Sequence, residues 1–196
     1  MQKIQLRLVP AALLALTGLA YAAPPTLDGS PPVLPPNTPA RCSQLMLKEP
    51  AMKARIAAGN CLARESLKLV PVTEANLETA NALATAVAPA MALFDNVIAQ
   101  GDPYYSMLAE DAKRDVYEGM AVRLRRAVQP DDEVASIEAD MLVANWLDNV
   151  ALSTVRITEL AENDPDAANR DPVISAITQR ATTEEATQIS TRSPRR

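Results

Sequence analysis

Histidine is missing from all 196 residues of this chain. Its absence removes the side chain that most often serves as general base, haem ligand and metal ligand. No Ser-His-Asp triad can be assembled, and the Glu-x-x-His signature of di-iron bundles is excluded. Cysteine is limited to Cys42 and Cys61, with no CxxC spacing, so a zinc or redox centre has no ligand set. No cofactor and no metal are expected. Beyond residue 22 the aromatics are Phe94, Tyr104, Tyr105, Tyr117 and Trp146 alone, too few for an extended sugar-stacking platform. Glycine is rare and alternating β-branched runs are absent, which leaves strands without a signature and gives helices a high propensity.

What is present begins with an address. Lys3 and Arg7 precede an apolar run from Leu8 to Leu19 that ends in Ala20-Tyr21-Ala22. These are the three parts of a secretory signal peptide, residues 1–22, cleaved after Ala22. Pro10, Gly18, Pro24 and Pro25 interrupt the stretch. Its apolar run is also shorter than the roughly 20 residues of a spanning helix, so no membrane insertion is expected after cleavage. A periplasmic or secreted location follows. In such an oxidising compartment an even pair of cysteines reads as one disulfide, Cys42–Cys61. The remaining chain carries 17 basic and 24 acidic residues, a sign that repels phosphate backbones and makes nucleic acid an unsuitable partner.

Residues 23–40 hold seven prolines and read as an extended, polyproline-like linker. The helical domain is expected over 41–180, followed by a polar, disordered tail over 181–196. Within the domain, Thr38-Pro39 starts a short helix carrying Cys42, and Glu49-Pro50 starts a second that Gly59 stops. Cys61 to Leu69 continues as helix. Thr73 caps a segment in which Leu77, Ala80, Ala84 and Val87 share a face, and Pro89 kinks or restarts it. Asp102-Pro103 opens the next helix, with Leu108, Ala112, Val116, Met120, Leu124 and Val128 recurring every four residues. Asp131 caps the longest helix, about 132–162, and Asp171-Pro172 starts a last one anchored by Val173, Ile174 and Ile177.

That longest helix is apolar on a broad arc. Val134, Ile137, Met141, Ala144, Ala151 and Val155 form one stripe, with Leu142, Trp146, Val150 and Ile157 beside it. A helix so apolar is expected at the centre, covered by the others. The fold class is therefore all-α: a compact helical bundle with a disulfide-linked N-terminal helical pair and a long central helix. Gly119 is a candidate for a close helix–helix approach.

Three clusters could carry chemistry. Leu93-Phe94-Asp95-Asn96-Val97 and Trp146-Leu147-Asp148-Asn149-Val150 share the pattern apolar-apolar-Asp-Asn-Val. Asp95 and Asp148 could face one cleft as an acid/base pair, as in glycoside hydrolysis. The competing reading pairs each with a cation such as Arg123 or Arg156, or places it at the rim of the core. Asp111, Arg114, Asp115 and Glu118 share a face, expected to be solvated and laced by weak ion pairs. Tyr104 and Tyr105 point in different directions, so either a binding contact or a cover for the end of the bundle would use them. Taken together, the sequence describes an exported protein of the bacterial periplasm that binds another envelope protein. An inhibitor or immunity partner or an envelope-stress factor fits, and catalysis is not expected. The alternative is an envelope hydrolase or lyase using the carboxylate pair.

Overall fold

The computed structural model of the chain describes residues 34, 36–47, 51–129 and 131–192. The expected signal peptide, residues 1–22, and most of the proline-rich segment lie outside them. Among the described residues there are seven helices and no strand. They are α1 (Ala40–Leu45), α2 (Ala51–Leu69), α3 (Leu77–Ile98), α4 (Pro103–Arg125), α5 (Glu133–Asn163), α6 (Pro165–Ala168) and α7 (Pro172–Arg192). The expected all-α bundle is present, with α1 and α2 joined by the Cys42–Cys61 disulfide and α5 as the long central helix.

Helix starts follow from aspartate and proline. Asp102, Asp164 and Asp171 each precede a proline at the first helical position, where a missing N–H costs nothing. Their carboxylates accept backbone N–H groups of the first turn: Tyr105 on Asp102 at 3.1 Å, Ala167 on Asp164 at 2.9 Å, Ile174 on Asp171 at 3.0 Å. Asp132, one residue after the expected cap, does the same for α5 through Ala135 at 2.9 Å. Asn76 rather than Thr73 caps α3, accepting the Thr79 N–H at 2.9 Å. Pro89 leaves α3 one continuous helix. Gly101, at φ +74°, makes the turn from α3 into α4 in the left-handed region where a Cβ is unwelcome.

Two apolar clusters form the interior. The larger gathers Leu62 of α2, Leu83, Val87, Leu93, Phe94 and Val97 of α3, Val116, Met120 and Leu124 of α4, and Val143 and Trp146 of α5. The smaller joins Met107 of α4, Ile157 of α5, Ala168 of α6 and Ile174, Ile177 and Ala181 of α7. Leu108 touches both. α3 is the one helix among the described residues long and apolar enough to cross a membrane, and Leu83, Val87, Leu93 and Val97 instead line the core with one of its faces.

Gly59 does not stop a helix. α2 runs through it, and a Cβ there would lie 2.5 Å from Phe94 Cε1, so the glycine makes room for the only phenylalanine in the chain. The close approach expected at Gly119 is ordinary contact by comparison, with Leu67 Cδ1 at 3.9 Å from a Cβ built there. α7 also continues past residue 180, where a polar tail was expected, because Ala181 is buried beneath it.

Two stability measurements follow. Gly59→Ala should cost about 1–3 kcal/mol in urea unfolding, because Phe94 must leave its place. An unchanged midpoint would show that the ring shifts freely. Cys42→Ser with Cys61→Ser, opening a loop with a sequence separation of 19, should cost roughly 3 kcal/mol on the chain-entropy model. The reduced parent should match that double variant within error.

Candidate functional site

The face of α4 that carries Asp111, Arg114, Asp115 and Glu118 is solvated only in part: Asp115 is exposed and ion-paired as the spacing suggests, but Arg114 is not. Arg114 is fully buried and Glu110, one turn before it, is nearly so. Arg114 pairs with Asp111 on its own helix and, through Nη1, with Glu184 Oε2 of α7 at 3.2 Å. Arg180 of α7 donates to Asp115 at 3.2 Å, Glu118 at 3.1 Å and Glu184 at 2.9 Å. α7 covers this face, and burial pushes the Asp111 carboxyl above its ordinary range although Arg114 pulls the other way. Toward α5, Glu110 accepts the Ser153 hydroxyl at 2.7 Å and Arg156 Nη1 at 3.2 Å. Tyr117 lies beside Glu110, Asp95 and Arg156, and burial, assisted by the two carboxylates, raises its phenol above the usual value. A phenol so held stays protonated, and Glu110 is enclosed by its partners. These groups bind helices to one another. Sequence reasoning missed Glu110, since no hydrophobic period marks a carboxylate that a neighbouring helix will satisfy.

The structure does not bring Asp95 and Asp148 together. Asp95 is half-exposed and takes Lys113 Nζ of α4 at 2.7 Å. Asp148 is exposed, roughly 160° around α5 from the buried Trp146. It therefore faces away from α4, while Asp95 faces toward it. Neither expected arginine is its partner: Arg156 serves Glu110, and Arg123 Nη2 donates to the Val70 carbonyl at 2.9 Å. The shared pentapeptide pattern also divides in role. Asn96 is buried and accepts Arg55 Nη1 at 2.6 Å, whereas Asn149 donates to the Asn145 carbonyl at 2.7 Å.

Tyr104 and Tyr105 meet edge to face with centroids 5.0 Å apart and point into different clusters. The Tyr104 hydroxyl donates to Asp171 Oδ2 at 2.5 Å, and the Arg170 guanidinium lies 4.9 Å from its ring centre. The pair closes the end of the bundle against the start of α7. A groove of about 370 Å³ between α5, α6 and α7 is lined by Thr158, Glu162, Asn169, Thr178 and Thr182 among others, and includes none of the four residues singled out. Among the described residues no group of three carboxylate or cysteine side chains is arranged to hold a metal ion.

The surface that stands out is on α5. Val134, Ile137 and Met141 are 68%, 58% and 73% exposed, and Leu152 and Val155 continue the row. The stripe expected to be covered is open. The reason lies on the other side of the helix: Ala139, Val143, Trp146, Ser153 and Ile157 already face α4 and α7, and no described element crosses the remaining face. From Val134 to Val155 the row is about 32 Å long at 1.5 Å per residue. Exposed acids accompany it: Glu133, Glu138, Asp140, Asp148 and Glu159.

Compared with models of protein families, with curated proteins and with solved structures, the chain has no match.

The contact at Asp171 predicts a pH dependence. The Tyr104 hydroxyl first, then the backbone N–H groups of Ile174 and Val173, hold this carboxyl below its ordinary range. A depressed folded value stabilises the fold above the unfolded pKa and loses that contribution as pH falls through the folded one. Asp171→Asn keeps a capping side chain and removes the charge. Its melting temperature should fall below the parent's at pH 7, and the gap should shrink at about pH 3. A gap of equal size at both values would refute the assignment.

Proposed function

We propose that this chain is an exported, non-enzymatic helical protein that binds another protein of the bacterial envelope, and that the open face of α5 is the contact. The observation that carries this reading is the row Val134, Ile137, Met141, Leu152 and Val155, large apolar side chains exposed in one line on a rigid helix. Contiguous apolar surface costs solubility, and among soluble proteins it commonly marks an interaction site. A helical face with apolar residues every three or four positions suits another helix. The disulfide fits an oxidising compartment, in line with the secretory signal of residues 1–22. A role as inhibitor, immunity partner or envelope-stress factor requires only such a face. The competing hydrolase or lyase draws no support from Asp95 and Asp148, which point in different directions.

The test places a photo-crosslinking residue at Met141 and, as a control, at the exposed Glu78 of α3, in cells that secrete the protein. An adduct with another protein should form at Met141 and not at Glu78, and Ile137→Asp should abolish it. Because Ile137 is exposed, that variant should unfold within about 0.5 kcal/mol of the parent. Equal adducts at both positions, or none at either, would sink the proposal.

A further inference from the structure

The open face has a register as well as a composition. Val134, Ile137, Met141, Ala144, Asp148, Ala151 and Val155 are spaced alternately three and four apart, the seam of a two-stranded coiled coil. Asp148 is the fifth of these seven positions, inside the seam and just past its centre. It is exposed and has no ion pair among the described residues. Between residues 131 and 162 there are eight acidic residues and one basic, Arg156, which is committed to Glu110 at 3.2 Å. Arg125 of α4, at the edge of the face, is committed to Asp140 at 2.8 Å. Any helix that covers the seam therefore buries Asp148 and must supply the cation itself, because an unpaired buried carboxylate is strongly disfavoured.

That requirement selects among occupants. A second copy of α5 brings no cation. Paired in parallel it sets Asp148 against its own equivalent, and paired antiparallel about the centre of the row it sets Asp148 against Met141. We infer that the α5 face accepts a basic amphipathic helix of a different protein, with one lysine or arginine of that helix paired to Asp148. The inference rests on α5 being the docking face, and adds the chemistry of what docks. A single charged residue at a seam position fixes register and partner, at some expense of affinity. The acidic flank, Glu133, Glu138 and Glu159, extends the same preference along the helix and speeds encounter with a cationic partner.

Three synthetic three-heptad peptides test this against the purified full-length protein by fluorescence anisotropy. They share leucines at the seam and carry lysine, glutamine or glutamate at the central seam position and on both flanks. The lysine peptide should bind at least about tenfold more tightly than the glutamine peptide, and the glutamate peptide should bind weakest. Asp148→Asn should weaken the lysine peptide by roughly tenfold. Asp148→Lys should shift preference toward the glutamate peptide. Equal binding of all three, lost together in Ile137→Asp, would overturn the cationic partner while leaving α5 as a docking face. Concentration-dependent self-association that Ile137→Asp removes, with no peptide bound, would show that a second copy occupies the face. Undiminished binding of the lysine peptide to Ile137→Asp would overturn both readings.

Discussion

Glu110 and Arg114 are opposite charges one turn apart on α4, and neither has water to screen it. A buried ion cannot be left alone, since removing its partner costs on the order of 3–5 kcal/mol. Each therefore constrains a neighbour. Glu110 requires Ser153 and Arg156, which fixes the height and rotation of α5 against α4. Arg114 requires Asp111 and Glu184, which draws α7 against α4 and lets Arg180 reach two more carboxylates, Asp115 and Glu118. The apolar clusters fill the space between these helices, but alanine-rich surfaces slide more easily than interlocked large side chains. The charges supply the specificity that such a core lacks.

The open face of α5 is a consequence of the same arrangement. With α4 and α7 held on one half of its circumference, the other half meets no described element. Aspartate at a seam position then has two meanings in one molecule. In the free protein Asp148 is an exposed charge within an apolar row, which would disfavour pairing with a second copy. In a complex the same carboxylate would demand a cation in register.

Much of the architecture was legible in the residues themselves. The Asp-Pro starts, the four-residue period of α4 as far as Leu124, the bounds of α5 to within one residue and the cysteine pair all have local causes and stand where the sequence puts them. The departures have a common physical origin. Gly59 resembles a stop because glycine breaks isolated helices, yet Phe94 needs the space that its missing Cβ leaves. Asp111, Arg114, Asp115 and Glu118 resemble a wet face, which holds for Asp115 and fails for Arg114, because spacing alone does not reveal that Glu184 of α7 reaches Arg114. The stripe on α5 resembles a core because periodicity reports that a face is apolar and not what lies against it. For the candidate site the residues showed that Asp148 lies within the apolar stripe of α5, but spacing alone left open whether it joins Asp95, pairs with an arginine or lies at the rim, and the structure leaves it exposed.

The Cys42–Cys61 link has a mechanical meaning beyond its effect on folding. A pull on the chain preceding α1 enters the domain at Ala40 and passes, two residues later, through the sulfur bridge to the middle of α2. Residues 43–60 lie inside the covalent loop and carry none of the tension. The load arrives beside Gly59, where α2 is locked against Phe94 of α3. Tension applied through the residues before α1 would thereby reach the domain beside the Gly59–Phe94 contact and not through the first turns of α2.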